Sequence, residues 1–210
     1  MGRTNSAAGA VERDLAAFYE QQAADRAARS LEPRRVHARD AFAARLVDAQ
    51  PHILEIGVGA GHDAAAFAAR GWRVVGVDLA VAHAELTRAA GVSVALATAR
   101  ALPFADEAFD VVWTMSTLMH VPSASINGAL AEIGRVLVRG GVAAIGVWGG
   151  ADVEDFLPGP YEPPRLFSRR SDARWLELLR QVGAIEEFEP WHEADEGFWY
   201  QWAVVRKPSE

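Results

Sequence analysis

The chain has 210 residues, half of them hydrophobic, a formal net charge of −7 and no cysteine. That length fits one domain with a sizeable core. The negative balance speaks against general binding to a phosphate backbone, and the missing cysteines exclude disulfides, thiolate metal sites and cysteine nucleophiles. No apolar run approaches the roughly 20 residues of a membrane span. Met1–Gly9 lacks the apolar centre of a secretory signal. A cytoplasmic protein without a nucleic-acid or membrane partner is therefore expected. Arg165, Arg169, Arg170 and Arg174 are interrupted by Asp172 and read as a solvated charged face.

Met1–Gly9 is small and polar and is expected to fray. Val11–Ser30 reads as a helix through Val11, Leu15 and Phe18 at i, i+4, i+7. Pro33 interrupts it, and a second helix is expected from Arg35 to about Asp48, with Phe42, Leu46 and Val47 inward. From His52 the pattern alternates. Strands are expected at Ile53–Ile56, Arg73–Val77, Ser93–Ala97, Val111–Met115 and Ala143–Trp148, with helices at Ala60–Arg70, Val81–Ala90 and Ser123–Leu137. Such alternation builds a parallel sheet covered by helices on both faces, and strands apolar throughout suit burial on two faces. Gly149–Ser171 carries four prolines and reads as a long loop, of the kind that is usually functional or disordered. A helix at Asp172–Val182 and strands at Ala184–Glu189 and Phe198–Val205 follow. The short connection between those two strands makes them antiparallel.

The most informative stretch is Ile53-Leu54-Glu55-Ile56-Gly57-Val58-Gly59-Ala60-Gly61-His62. An apolar strand ends in an acid and then in glycines at 57, 59 and 61. Gly57 permits a tight strand-to-helix turn, and Gly59 lets backbone approach a ligand with no Cβ in the way. Ligands of open α/β sheets bind at the carboxyl ends of the strands. A dinucleotide fingerprint would place its third glycine at 62, where this chain has His. His62 itself is expected at a helix start, facing solvent or a cofactor carboxylate. Glu55 would repel a pyrophosphate and suits a cationic ligand. Asp78 closes Val74-Val75-Gly76-Val77. An acid there can accept both hydroxyls of a ribose and would repel a 2′-phosphate.

Together with Ala99-Arg100-Ala101-Leu102-Pro103-Phe104, Leu118-Met119-His120-Val121-Pro122 and Leu130–Gly141, these blocks resemble the class I S-adenosylmethionine-dependent methyltransferases of the small type 11 kind. The resemblance implies a Rossmann-like α/β fold with a seven-stranded, mostly parallel sheet, an antiparallel last strand and helices on both faces. It implies S-adenosylmethionine as cofactor and a small-molecule acceptor as partner. Glu55, Gly57, Gly59 and Gly61 would hold the methionine moiety, Asp78 the ribose, and Leu79 the adenine face. Ala99 and Arg100 would offer backbone N–H to the adenine. Thr98 stands where the family often has Asp for the adenine amino group. Thr114 and Met115 would meet the methionine end, and Tyr19 would close over the site.

The resemblance also organises the whole chain as one methyltransferase domain, 1–210, with residues 1–50 as a helical lid and 149–171 as a substrate cap. Methyl transfer from a sulfonium is an in-line displacement that needs alignment and dryness more than acid–base help. A base matters when the acceptor must lose a proton. His120 and, beside Glu193, His192 are the candidate bases; the alternatives are a cap on the Pro122 turn and a plain surface turn. Trp148, Phe156, Tyr161, Phe167, Trp191 and Trp199 are candidates for an aromatic pocket, with Trp148 foremost and Arg165 as partner of an acidic acceptor. The remaining histidines, His37, His52 and His83, have no ligand at metal-binding spacing, so no metal site is expected. The reading is an O- or N-methyltransferase of a small molecule, in specialised metabolism if the near-absence of lysine (Lys207 alone) reflects a GC-rich bacterium. A methyltransferase fold that only binds cofactor or partner is the alternative. An NAD-dependent oxidoreductase ranks third.

Overall fold

A computed structural model describes residues 2–46, 50–191 and 197–210. Seven strands form one sheet: β1 (His52–Ile56), β2 (Arg73–Asp78), β3 (Ser93–Leu96), β4 (Phe109–Met115), β5 (Leu137–Gly150), β8 (Ala184–Trp191) and β9 (Phe198–Arg206). Their order across the sheet is β3-β2-β1-β4-β5-β9-β8. The first five pair in parallel. β9 runs antiparallel to both β5 and β8, as the short connection requires. The expected seven-stranded Rossmann-like sheet is therefore present, with a single antiparallel strand.

Alternation along the strands sends side chains to two cores. On one face Leu54, Val112, Ala143 and Ile145 pack against α5 (Ile126–Val136) and α6 (Asp172–Leu179) through Leu130, Ile133, Trp175 and Leu178. On the other, Ile53, Val111, Trp113 and Ala144 meet Phe42 of α2 (Pro33–Ala44) and Phe67 of α3 (His62–Ala68). Trp113 is fully buried. Burial of such a side chain is worth about 1.5–3 kcal/mol.

Three expectations need correction. The first helix, α1 (Gly2–Ala28), does not fray to Gly9 but starts at Gly2; Ala8 of that segment is buried, so packing overrides the weak local signal. Pro33 does not stand outside the second helix: it opens it. Glu32 caps that helix by accepting from the N–H groups of Arg34 at 2.9 Å and Arg35 at 3.0 Å, and a proline at the first position gives up no helical hydrogen bond. The helix ends at Ala44; Val47 lies outside the described residues. Finally, the expected loop 149–171 contains a hairpin, β6 (Val153–Leu157) with β7 (Arg165–Arg169), in a sheet of its own. Its prolines are confined to the turn, where no ladder N–H is lost. No described helix is long and apolar enough to cross a membrane.

The chain builds outward from β1 to β3 and then crosses back to place β4 on the other side of β1. That reversal leaves a crevice beyond the carboxyl ends of β1 and β4. α1 lies across it. Glu20 accepts from the N–H groups of Val81 and Ala82, at the start of α4 (Val81–Ala89), where a carboxylate offsets the helix dipole. Gln21 donates to the Glu162 carbonyl at 2.5 Å, and Tyr161 donates to Asp25 at 2.5 Å. The hairpin is thereby fastened to α1.

Candidate functional site

The crevice is a cavity of about 360 Å³ under α1, within the range of small-molecule sites. The strand-to-helix turn after β1 forms its floor. A Cβ at Gly57, where φ is +74°, would fall 2.0 Å from Thr117 Oγ1, so this position admits only glycine. At Gly59 a Cβ would meet nothing within 4 Å: the space above that backbone belongs to the cavity. Gly61 does a different job from the one expected. It does not line the cavity; a Cβ there would press 2.7 Å from Thr87 Oγ1 on α4.

Glu55 lines the cavity and is 2% exposed. Burial, reinforced by the neighbouring Asp63 carboxylate, pushes its carboxyl well above the usual range, with Arg35 and a hydrogen bond from the Ala64 backbone opposing. Its Oε2 has no partner. Asp63, by contrast, is fully partnered: it takes Arg35 at 2.8 Å, Arg39 at 3.3 Å and the Trp113 indole at 3.1 Å.

Asp78 closes β2. Its Oδ2 accepts from Gly59 N–H at 2.8 Å. Its Oδ1 accepts from Ala80 N–H at 2.9 Å and faces His83 Nδ1 at 3.3 Å. The acid therefore pins the glycine turn to the start of α4. Leu79, Thr98, Ala99 and Met115 also line the cavity. Arg100 does not: its side chain grips Glu12 of α1 at 2.8 and 2.7 Å, and Thr98 Oγ1 donates to the same carboxylate. Thr114 is buried but absent from the cavity wall, because the pleat turns it away from the face on which Met115 stands.

His120 sits in a 3-10 turn, Leu118–His120, and is buried. It does not cap the Pro122 turn. Its Nδ1 lies 2.7 Å from the Leu166 carbonyl of the hairpin. A carbonyl can only accept, so Nδ1 carries the proton and Nε2 is the acceptor. The Tyr19 hydroxyl, 3.0 Å away, donates to it. Burial pushes the His120 pKa down to about 4, aided by the Arg165 and Arg26 charges against the pull of the Leu166 carbonyl. The imidazole is neutral near pH 7.

Trp148 lines the cavity as expected, joined by Trp191 and Tyr200. Ser116, between Tyr200 and the end of β4, holds φ +55°, a strained conformation of the kind that clusters at functional sites. The other expected pocket residues stand elsewhere. Phe156 is 54% exposed on the hairpin. Tyr161 turns to Asp25 and Trp199 to Asp172. Arg165 and Phe167 form a second layer: Arg165 reaches the Tyr19 hydroxyl at 3.4 Å, and Phe167 packs edge-on against His120. His62 lines the cavity, its Nε2 3.3 Å from the Arg26 carbonyl. His192 lies outside the described residues.

Residues 54–145, which hold this turn, both acids and His120, match the family model of a methyltransferase domain. That stretch of the chain is similar to methyltransferase domains. An uncharacterised methyltransferase of Mycobacterium sp. (strain JLS) is 39% identical over 100 residues, 46% of this chain and 39% of that protein. The alignment thus spans about two fifths of the relative's length. Two solved structures share the fold at low identity. The 1,6-didemethyltoxoflavin-N1-methyltransferase of Burkholderia thailandensis, solved with 1,6-didemethyltoxoflavin and S-adenosylhomocysteine, is 21% identical with a TM-score of 0.70, over 99% of this chain and 91% of that one. The [4+2]-cyclase SpnF is 20% identical with a TM-score of 0.66, over 83% of this chain and 81% of that one. Of the residues around this cavity, the glycine turn, Glu55 and Asp78 were legible in the sequence. Glu12, Arg35, Asp63 and Tyr200 were missed, since none lies in a local motif of its own.

Proposed function

We propose that this protein transfers a methyl group from S-adenosylmethionine to an O or N atom of a small molecule. The observation that carries the reading is the unpartnered, buried Glu55 Oε2 beside the open space over Gly59. A buried polar atom without a partner is costly, and a ligand ammonium would satisfy it. The donor set fits the cofactor along its length: Glu55, Gly57 and Gly59 for the methionine moiety, Asp78 for the ribose, Leu79, Thr98 and Ala99 for the adenine, and Met115 near the methionine end. When bound, the cofactor supplies an activated methyl on a good leaving group.

The chain's own residues then orient and dry the reaction. α1, within the lid 1–50, roofs the cavity with Tyr19, and the hairpin within 149–171 backs it with Arg165 and Phe167 in the second layer. Trp148, Trp191 and Tyr200 provide walls for a flat acceptor. His120 Nε2 is the candidate base: it is neutral, its tautomer is fixed by Leu166, and its lone pair already receives a proton donor in Tyr19.

Calorimetric titration with S-adenosylmethionine, S-adenosylhomocysteine and NAD tests the cofactor reading. Micromolar binding of the first two and no heat with NAD is expected. Binding of none of them would overturn it.

A further inference from the structure

His83 lines the cavity from the first turn of α4, is 3% exposed, and has an Nε2 without a partner. Its other nitrogen faces a carboxylate, Asp78 Oδ1, at 3.3 Å. A carboxylate accepts, so Nδ1 carries the proton, and in the neutral ring Nε2 holds a lone pair. The Tyr19 ring stands over it with centroids 5.4 Å apart.

The acceptor count at Asp78 gives this lone pair a task. A carboxylate has about four lone-pair sites, two on each oxygen. Oδ1 is filled by Ala80 N–H and His83 Nδ1–H. Oδ2 already takes Gly59 N–H and has one site left. The two vicinal hydroxyls of a ribose therefore find only one acceptor at Asp78, and the bidentate contact expected from the sequence cannot form without releasing α4 or the glycine turn.

We infer that His83 is a ribose-binding residue, its Nε2 accepting one hydroxyl of the cofactor ribose while Asp78 Oδ2 accepts the other. This rests on the cofactor reading above. It places a second acceptor beside the acid and divides one diol between two residues of the β2–α4 junction.

The test uses S-adenosylhomocysteine and its 2′-deoxy and 3′-deoxy analogues, titrated calorimetrically into the unaltered protein and into His83→Asn. Asparagine keeps a donor for Asp78 but removes the distant acceptor. Each deoxy analogue should bind the unaltered protein about five- to tenfold more weakly, as expected for one lost hydrogen bond. His83→Asn should lose a similar factor for the parent ligand and nothing further for one of the two analogues. His83→Gln, which can set an amide oxygen near the vacated position, should recover part of the loss. Equal weakening toward all three ligands, or none, would overturn the inference alone. No binding of S-adenosylhomocysteine by the unaltered protein would overturn the cofactor reading as well. Should the variants not fold, ¹⁵N spectra of histidine-labelled unaltered protein decide. The His83 Nε2 signal should shift on adding the parent ligand and stay put with one analogue; no shift with any ligand overturns the inference.

Discussion

Arg35 bonds Asp63 at 2.8 Å, and because Asp63 takes it, the nearby Glu55 is left buried with one oxygen unpartnered. Two acids that share one pocket are thus driven apart in character. Asp63 is held by two arginines; Glu55 is kept short of cations, and its proton is hard to remove. A ligand ammonium reverses this by favouring the carboxylate. Between the raised value of the free protein and the lower value of the complex, binding must expel a proton. Calorimetry of S-adenosylhomocysteine in buffers of different ionisation enthalpy should therefore report proton release between those two values, and affinity should rise with pH there. The release should vanish in Glu55→Gln. Proton uptake would contradict the assignment of Glu55 to the ammonium.

The same shift sets a stability trend. The folded-state pKa of Glu55 lies above the unfolded one, so the fold prefers the protonated form. Its contribution is fully present below the unfolded value and is lost as pH rises through the folded one. At neutral pH the ligand-free protein carries that cost. Glu55→Gln has no charge to bury and can still accept from the Ala64 backbone. It should raise the Tm of the free protein, by about 2–4 °C for each kcal/mol relieved, while weakening cofactor binding without abolishing it. A lower Tm measured by calorimetric melting at pH 7 would argue that the free fold favours the carboxylate over the protonated acid.

Why the sequence revealed Glu55 and not its counterpart is a matter of reach. The β1 turn is a local motif: strand, acid and glycines follow one another, so spacing alone specifies the geometry. Asp78 is readable for the same reason. Glu12 meets Thr98 and Arg100 across more than eighty residues, and Arg35 meets Asp63 across 28. No spacing rule joins them, because both come from helices laid over a finished sheet. The hairpin was obscured differently. Its prolines announce a loop, and they do occupy the turn, but the flanking strands Val153–Leu157 and Arg165–Arg169 are short and pair only with each other. Thr114 and Met115 differ by one step of the pleat, and a strand's facing is settled only by its partners.

Asp63 anchors that overlay. Its carboxylate is 0% exposed, while Arg35 and Arg39 are 22% and 12% exposed. Asp63→Asn leaves the mostly buried Arg35 without its anion and Arg39 with Asp40 alone, a change that costs about 3 kcal/mol when one partner of a buried pair is removed, or roughly 10 °C in Tm for a chain of this length. The indole of Trp113 can still donate to the amide. Arg35 is also freed to turn to Glu55, so affinity for S-adenosylhomocysteine should fall beyond what stability explains. A variant that melts near the parent temperature and binds normally would show that the cluster is no more than surface charge.

The last prediction concerns the roof. Glu12 fastens the first half of α1 to the β3–β4 connection through Arg100 and Thr98, with both charged side chains less than a quarter exposed. Charge-assisted, bidentate contacts of this kind are the stronger ones. The second half is held separately, by Glu20 on the α4 N-terminus and Tyr161 on Asp25. Glu12→Ala should therefore loosen one end and not the other. Amide hydrogen exchange, which reads local opening, should speed up around residues 8–15 and change little around 20–25. Because the same segment roofs the cavity, S-adenosylhomocysteine should restore part of the lost protection and bind several-fold more weakly than to the parent. Uniform acceleration along the whole helix would mean that α1 opens as one rigid piece and that Glu12 is no separate latch.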